Sequence, residues 1–258
     1  MAVRTRKDFV NVDEREVLKT LTGLGFKGPD ARTLADHFLD AERRGKTGHG
    51  LSRVEWLATR PFEFDPSARP QRLMSEPGYQ RWDGNGALGY LTLAAIVEAQ
   101  LAYPPDHARL VVAQRTFPTG MLGYWGRKLA AGGLVAALSA TSPARLGHPD
   151  GGPKLTGTNP LAIAIPSSEC EPLVSDVSMG RVTYGEVLAG EAVEDELVPF
   201  GGEHAHKAFA LAVGLQLLVD SLVAEAGHGA VLLVARPEAD PLPALRARAA
   251  GLRLPGDR

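Results

Sequence analysis

Cysteine is almost absent from this chain, which has only Cys170 among its 258 residues. A single cysteine cannot form an internal disulfide, so nothing in the sequence requires an oxidising compartment. The first residues are charged and lack the apolar stretch that a signal peptide needs. The most apolar run, residues 208–227, contains Asp220 and Glu225, which is unlike a membrane span. These absences predict a cytoplasmic protein with no membrane partner.

The sequence also lacks an excess of charge of either sign. It has 28 basic and 30 acidic residues, which gives a formal net charge of −2. Because the basic residues are spread along the chain, they form no run that would favour binding to nucleic acid. Hydrophobic residues at 44% and charged residues at 22% are ordinary for a globular protein, and the length allows one or two domains. We therefore predict small-molecule partners and no nucleic acid.

The hydrophobic pattern predicts a mixed α/β chain. Apolar residues at helical spacing predict longer helices at 11–25, 30–44, 87–102 and 205–226. Short apolar runs predict buried strands at 110–113, 134–138, 161–165 and 230–235, with shorter helices near 121–131, 181–190 and 244–250. Prolines at positions 61, 66, 70 and 77 interrupt every periodic pattern, so we expect an irregular surface loop from 61 to 83.

Three short motifs suggest nucleotide or metal sites but lack the necessary context. Gly84–Gly89 matches G-x-G-x-x-G, yet residues 76–83 do not read as the apolar strand that this fingerprint requires, so we predict a glycine-rich turn at a helix start. Gly45–Thr47 resembles the end of a phosphate loop, but Asp40 stands where that motif has its first glycine. Glu203–His206 carries two imidazoles without further ligands, so we predict no metal site.

His49 and Arg53 are the strongest candidates for chemistry. A histidine four residues before an arginine, at the start of a helical stretch, places both side chains on one face. The arginine guanidinium can bind a carboxylate with two hydrogen bonds, and the imidazole can transfer a proton beside it. This spacing is common, however, and taken alone it favours a surface or helix-capping role.

Seven segments spread along nearly the whole chain carry a family resemblance. They are Ala41–Gly45, His49–Arg53, Asp83–Gly86 with Gly89, Gly157–Ala162, Asp176–Met179, Pro199–Gly202 with His206 and Lys207, and Pro255–Arg258. In this order they resemble the malate/L-lactate dehydrogenase family, which is unrelated to the Rossmann-type lactate dehydrogenases. Its relatives include ureidoglycolate dehydrogenase, 2,3-diketogulonate reductase and the reductase of piperideine-2-carboxylate and pyrroline-2-carboxylate.

The resemblance implies a fold, a cofactor and an assembly. The expected fold is α/β (α+β), with a mainly antiparallel, non-Rossmann sheet domain that binds NADH or NADPH and a helical domain built from both ends of the chain. We place the cofactor domain at residues 106–204 and the helical, substrate-binding domain at 1–105 with 205–258. The resemblance further implies a homodimer and a shortened, diverged member of the family.

The resemblance also assigns residue roles. His49 would be the proton donor and Arg53 would hold the substrate carboxylate, with Thr158 and Asn159 in the turn that lines the substrate pocket. The implied cofactor contacts are Asp176, Ser178, Met179, Gly180, Arg181, Val182, His206, Lys207, Gly256, Asp257 and Arg258. Among these, Arg181 is a candidate partner for a phosphate on the ribose 2′ position.

One departure from the family bears on the substrate. Several relatives have a second histidine after the strand at 110–113, and the nearest position here is Pro118. A protonated imine needs less acid assistance than a ketone, so the loss of this group favours an imine. We therefore predict an NAD(P)H-dependent reductase of a cyclic 2-imino acid or a 2-oxo acid. The alternative is a diverged member without hydride transfer, acting as a binding or scaffold protein or in non-redox biosynthetic chemistry.

Overall fold

A seven-stranded sheet lies at the centre of the computed structural model, which describes residues 14–60, 64–223 and 227–257. The strands are β1 (Gln71–Ser75), β2 (Tyr79–Asp83), β3 (Ala108–Gln114), β4 (Val135–Ala140), β7 (Leu161–Ile165), β8 (Leu173–Val177) and β9 (Ala230–Ala235), while β5 (Leu146–Gly147) and β6 (Lys154–Thr156) form a separate hairpin. The helices are α1 (Glu14–Gly23), α2 (Gly28–Arg43), α3 (Leu51–Ala58), α4 (Gly89–Ala102), α5 (Leu122–Ala131), α6 (Tyr184–Leu188), α7 (Ala205–Leu222) and α8 (Leu242–Arg248).

The sheet is mainly antiparallel, which confirms the expected fold class. Its strand order is β1-β2-β3-β9-β4-β7-β8, and only the β2–β3 pair is parallel. Parallel neighbours need a crossover connection, and α4 provides it between β2 and β3.

Helices cover the two faces of the sheet unequally. Helices α4 and α5 pack on one face, where Val111 of β3 belongs to the main core together with residues of α1, α2 and α3. The next residue, Val112, points to the opposite face and packs against Val219 of α7. This alternation is expected for a strand buried on both sides. On the α7 side, Ile163 and Leu233 remain 39% and 47% exposed, so this face is only partly covered.

Helix α7 combines an apolar composition with limited burial. Together with the turn before it, Gly202–Leu222 is the one helix in the described part of the chain that is long and apolar enough to cross a membrane. Ala208, Ala212 and Val219 are buried against the protein, while leucines on its other side are exposed. A helix with one buried and one exposed apolar side is typical of a surface that contacts another molecule.

The prediction of an irregular loop up to residue 83 was wrong, because β1 and β2 form an antiparallel hairpin there. Pro70 comes just before β1, and Pro77 with Gly78 forms the two-residue turn, across which Glu76 and Tyr79 exchange backbone hydrogen bonds of 2.8 and 3.3 Å. The prolines therefore border the strands and do not interrupt them. All of β1 is solvent-exposed, so it has no apolar pattern to detect.

A strand does precede Gly84–Gly89, contrary to the prediction, because β2 leads directly into this segment and α4 follows it. The space above the turn is nevertheless filled by protein. A side chain at Gly84 would collide with the Arg115 carbonyl oxygen, and a Cβ at Gly89 would lie 2.6 Å from the Pro118 carbonyl oxygen. The segment is therefore a glycine-rich turn at a helix start, as predicted, and it packs against residues 115–118.

The predicted division into two domains stays a prediction. Strands β1, β2 and β9 enter the sheet from outside residues 106–204, so the sheet draws on both segments that were assigned to the helical domain.

Candidate active site

A cavity of about 840 Å³ opens between α3, the segment 115–122, the ends of β4 and β8, and α6. This volume lies within the range of roughly 300–1,000 Å³ that is usual for ligand sites. Predicted residues that line it are His49, Arg53, Thr158, Asp176, Ser178, Gly180, Arg181 and Val182. The structure thus brings the predicted proton donor and carboxylate-binding residue together with most of the predicted cofactor stretch.

Two glycines in contact fix the turn that carries His49. A short 3₁₀ turn, Thr47–His49, precedes α3, and a Cβ at Gly48 would lie 2.6 Å from the backbone nitrogen of Glu186. On the other side, a side chain at Gly185 would collide with the Gly48 carbonyl oxygen. The first N–H of α3, from Leu51, donates to Glu42 Oε1 at 2.6 Å. The backbone contacts and this carboxylate together fix the position of the His49 backbone, from which the imidazole extends.

Arg53 is held in place through its Nε atom. Its Nε donates to the Gly48 carbonyl oxygen at 2.9 Å, and the guanidinium carbon lies 5.7 Å from the centre of the Trp56 ring. Among the described residues, no hydrogen bond from its Nη1 or Nη2 atoms is seen. The two terminal nitrogens are thus available to a carboxylate in the cavity, which is the geometry of bidentate recognition.

The surroundings of His49 keep its imidazole neutral. Burial is the main cause that lowers its pKa to about 3, and Arg53, His37 and Lys46 lower it further by charge repulsion. Its Nδ1 is buried without a hydrogen-bond partner in the described ranges. At neutral pH the free protein therefore presents an uncharged imidazole beside a guanidinium.

Asp176 stands on the opposite wall, in β8. Its Oδ2 accepts a hydrogen bond of 2.6 Å from the Gly123 N–H at the start of α5. Burial raises the pKa of this carboxyl, while the Gly123 hydrogen bond and the charges of Lys46 and Arg127 act in the opposite direction. The carboxyl group therefore joins the sheet to α5 at the edge of the cavity.

Basic side chains dominate the cavity wall. Six cationic residues line it, namely Lys46, Arg53, Arg60, Arg115, Arg145 and Arg181, against the carboxylates of Asp176 and Glu186. Such a wall fits an anionic ligand. A nicotinamide dinucleotide fits it on the donor chemistry, because its phosphates would meet arginines and its rings would meet the glycine-containing backbone of 178–182.

Two predicted residues turn away from the cavity. Asn159 is fully buried, and its Nδ2 donates to the Ala212 carbonyl oxygen at 3.1 Å and to Gln216 Oε1 at 2.9 Å in α7. Met179 is buried in a small cluster with Leu146 and Ala212. Both side chains therefore secure the loops behind the cavity.

The cofactor contacts that were predicted in the C-terminal part of the chain do not line this cavity either. His206 and Lys207 are exposed at the start of α7. Gly256 packs against Val174 of β8, and Asp257 pairs with Arg246 at 3.1 Å. Arg258 lies outside the described residues. The contacts that the resemblance implies for these positions stay predictions.

A second histidine that the sequence analysis missed lies behind the cavity wall. His37 of α2 is fully buried among the rings of Phe38, Tyr90, Tyr124 and Trp125, at centroid distances of 4.9 to 5.6 Å. Its Nε2 accepts a hydrogen bond of 3.0 Å from the Met121 N–H, in a segment that lines the cavity. The one available signal was its position on the inner face of a predicted helix, between Leu34 and Ala41.

Comparison with known sequences places most of the chain in one group. A family model described as malate/L-lactate dehydrogenase matches residues 13–197. The (2R)-3-sulfolactate dehydrogenase (NADP(+)) of Chromohalobacter salexigens is 29% identical, covering 72% of this chain and 58% of that protein. The 2,3-diketo-L-gulonate reductase of Citrobacter koseri is 30% identical, covering 71% of this chain and 56% of that protein. The chain thus spans a little over half the length of these curated relatives.

Solved structures show the same fold. A dehydrogenase from Sinorhizobium meliloti superposes with a TM-score of 0.81 at 24% identity, covering 99% of this chain and 90% of that one. The delta1-piperideine-2-carboxylate reductase from Pseudomonas syringae pvar. tomato gives a TM-score of 0.77 at 20% identity, with 100% and 92% covered. At these identities the likeness concerns the fold.

Proposed function

Because the chain belongs to the malate/L-lactate dehydrogenase family, we propose that it is an NAD(P)H-dependent reductase of a C=N or C=O group next to a carboxylate. The substrate is a cyclic 2-imino acid or a 2-oxo acid. The observation that carries this proposal is that one basic cavity is lined by His49, by Arg53 and by most residues of the stretch 176–182. A bound nicotinamide dinucleotide would supply the hydride, and the protein would bind, orient and protonate the substrate.

Arg53 binds the substrate carboxylate in this proposal. Its Nε is already bonded to Gly48, so its two terminal nitrogens are oriented before the substrate arrives. A preoriented guanidinium loses little freedom on binding, and it fixes the carbon next to the carboxylate with respect to the cofactor wall. Thr158 borders the same space, whereas Asn159 acts only by holding the turn.

His49 delivers the proton that balances the reaction. Each hydride is matched by one proton: a ketone oxygen takes it up as the hydride arrives, and an imine nitrogen takes it up before or as the hydride arrives. The free protein keeps His49 neutral, mainly by burial and then by the charge of Arg53. A substrate carboxylate on Arg53 offsets that charge, so the imidazole pKa rises when the substrate is bound, and a larger fraction of His49 then carries the proton that the reaction needs.

Pro118 supports an imine as the substrate. It lines the cavity at the position where relatives have a second histidine, and its side chain has no proton to transfer. An imine that is already protonated depends less on a second acid.

Cofactor binding and substrate class can be tested in one series. We expect NADH or NADPH fluorescence to change on titration with the protein, and the bound cofactor to be oxidised on addition of cyclic 2-imino acids. Reduction of pyruvate and other simple 2-oxo acids at a far higher rate would overturn the imine preference but keep the reductase. No binding of either dinucleotide would overturn the reductase itself.

We further propose that two chains form a homodimer in the cytoplasm. The support is apolar surface that a single chain leaves exposed, notably Leu217 and Leu218 on α7 and Leu233 on β9, at 59%, 48% and 47%. Exposed leucines of this kind mark contact surfaces. Sedimentation velocity at micromolar concentration should give twice the mass of the 27.4 kDa chain. A single species at the chain mass would contradict this proposal.

A further inference from the structure

Arg145 and Tyr184 form a stacked pair in the lining of the cavity, and neither has a role in the proposed proton transfer or carboxylate binding. The Arg145 guanidinium carbon lies 3.4 Å from the centre of the Tyr184 ring, and both residues line the cavity. At this distance the guanidinium is stacked on the ring, which fixes its plane and leaves its N–H groups directed outward along the edge. A stacked arginine of this kind is suited to binding phosphate with two hydrogen bonds.

An acidic 3₁₀ turn, Glu194–Glu196, holds this arginine and its neighbour Arg181. Arg145 Nη1 lies 3.5 Å from Glu194 Oε1, and Arg181 Nη2 lies 3.5 Å from Glu196 Oε1. Both distances exceed the roughly 2.7–2.9 Å of a tight charge-assisted hydrogen bond. The Glu194 side chain is 71% exposed and that of Arg181 is 64% exposed, so water screens these pairs and they contribute little to stability.

We propose that Arg145, Arg181 and Tyr184 form a phosphate subsite for the dinucleotide, and that Glu194 and Glu196 occupy the two arginines only until a phosphate replaces them. This inference rests on the proposed function. A phosphate can accept short charge-assisted hydrogen bonds from the guanidinium groups, which the two carboxylates at 3.5 Å do not make. Arg181 also belongs to the cofactor wall at 176–182, so the subsite continues that wall.

Two phosphate groups could occupy this subsite, namely the 2′-phosphate that only NADPH carries and the pyrophosphate that NADH and NADPH share. The test is the dissociation constant, measured by fluorescence or calorimetry, of NADPH, NADH, adenosine 2′,5′-bisphosphate and 5′-AMP. Wild-type protein is compared with Arg145→Ala and with the control Arg32→Ala, which removes an exposed arginine of α2 outside the cavity.

We expect Arg145→Ala to weaken phosphate-dependent binding at least tenfold while the control is unchanged. A loss confined to NADPH and the bisphosphate would assign the subsite to the 2′-phosphate. An equal loss for NADPH and NADH would assign it to the pyrophosphate. If both dinucleotides bind the variant as they bind the wild type, the subsite is overturned. If the wild type binds neither dinucleotide, the proposed function falls as well, so the two failures are distinguishable.

The acidic turn provides a test of opposite sign. Because Glu194 and Glu196 compete with the phosphate, the double variant Glu194→Gln, Glu196→Gln should bind the preferred dinucleotide several-fold more tightly than the wild type. A double variant whose fold is merely disturbed would bind the dinucleotide more weakly than the wild type. Unchanged or weaker binding, in a variant with a wild-type unfolding temperature, would contradict the exchange of carboxylate for phosphate.

Discussion

Replacing His49 with alanine should lower kcat by about 10²- to 10⁴-fold, the usual contribution of a positioned acid or base. The dissociation constant of the dinucleotide should change only a few-fold, because the imidazole lies beside Arg53 and not on the 176–182 wall. The expected loss is large since Pro118 offers no second proton donor in the cavity. Stopped-flow measurement of cofactor oxidation with the best substrate would separate the chemical step from binding.

A matched control is His107→Ala, which removes an exposed histidine at the start of β3 that does not line the cavity. This variant should keep wild-type kcat and binding. Recovery of part of the His49→Ala activity by added imidazole would support a direct proton-transfer role. Turnover unaffected by His49→Ala would contradict the proton-donor role, whereas cofactor that binds the wild type and is oxidised by no substrate would favour the alternative of a diverged member without hydride transfer.

The free energy of unfolding should fall steeply as the pH drops below about 6.5, because His37 and His49 stay neutral in the folded protein. Burial is the largest cause that lowers the pKa of His37 to about 3, from 6.5 in the unfolded chain. Between these values the unfolded chain binds a proton that the folded chain does not. The stability is therefore full above pH 6.5 and is lost toward pH 3, by about 1.4 kcal/mol per pH unit for each such histidine.

His37→Phe isolates the contribution of one of these histidines. Phenylalanine keeps an aromatic ring among Tyr90, Tyr124 and Trp125 but neither titrates nor accepts the Met121 N–H. We expect lower stability at pH 7 and a shallower slope below pH 6.5, by about 1.4 kcal/mol per pH unit. Urea unfolding at several pH values measures this, with His107→Phe as the control. An unchanged slope would mean that His37 is protonated in the folded protein.

Strands buried by their neighbours were predictable, and the exposed edge of the sheet was not. Residues 161–165 and 230–235 form strands with the predicted bounds, because an apolar run bordered by turn residues has few other stable arrangements. Strand β1 is exposed along its whole length and exists because β2 offers it hydrogen bonds. Such pairing is a tertiary property that hydrophobic periodicity does not record.

In the candidate site, likewise, side-chain contacts between residues far apart in the chain could not be predicted from the sequence. His49 and Arg53 were identifiable because they lie four residues apart within one of the segments that carry the family resemblance. Arg145 and Tyr184 are 39 residues apart in the numbering and meet only through the fold. Thr158 and Pro160 of the predicted motif line the cavity, but the direction of the Asn159 side chain depends on α7, which the motif does not include.

The contact between Gly48 and Gly185 makes one part of the cavity lining more rigid than the rest. In this part the spacing between the His49 turn and α6 is set by backbone atoms already in van der Waals contact, which no rotamer change can widen or narrow. Elsewhere the lining includes long side chains that can change rotamer, such as Arg181, whose side chain is 64% exposed. The part of the cavity where the reacting atoms are proposed to lie therefore has a fixed width. The part around the remainder of the ligand can change its width when the arginine side chains move. If the proposed function holds, main-chain atoms limit the size of the substrate here, and only replacement of Gly48 or Gly185 itself would change their spacing.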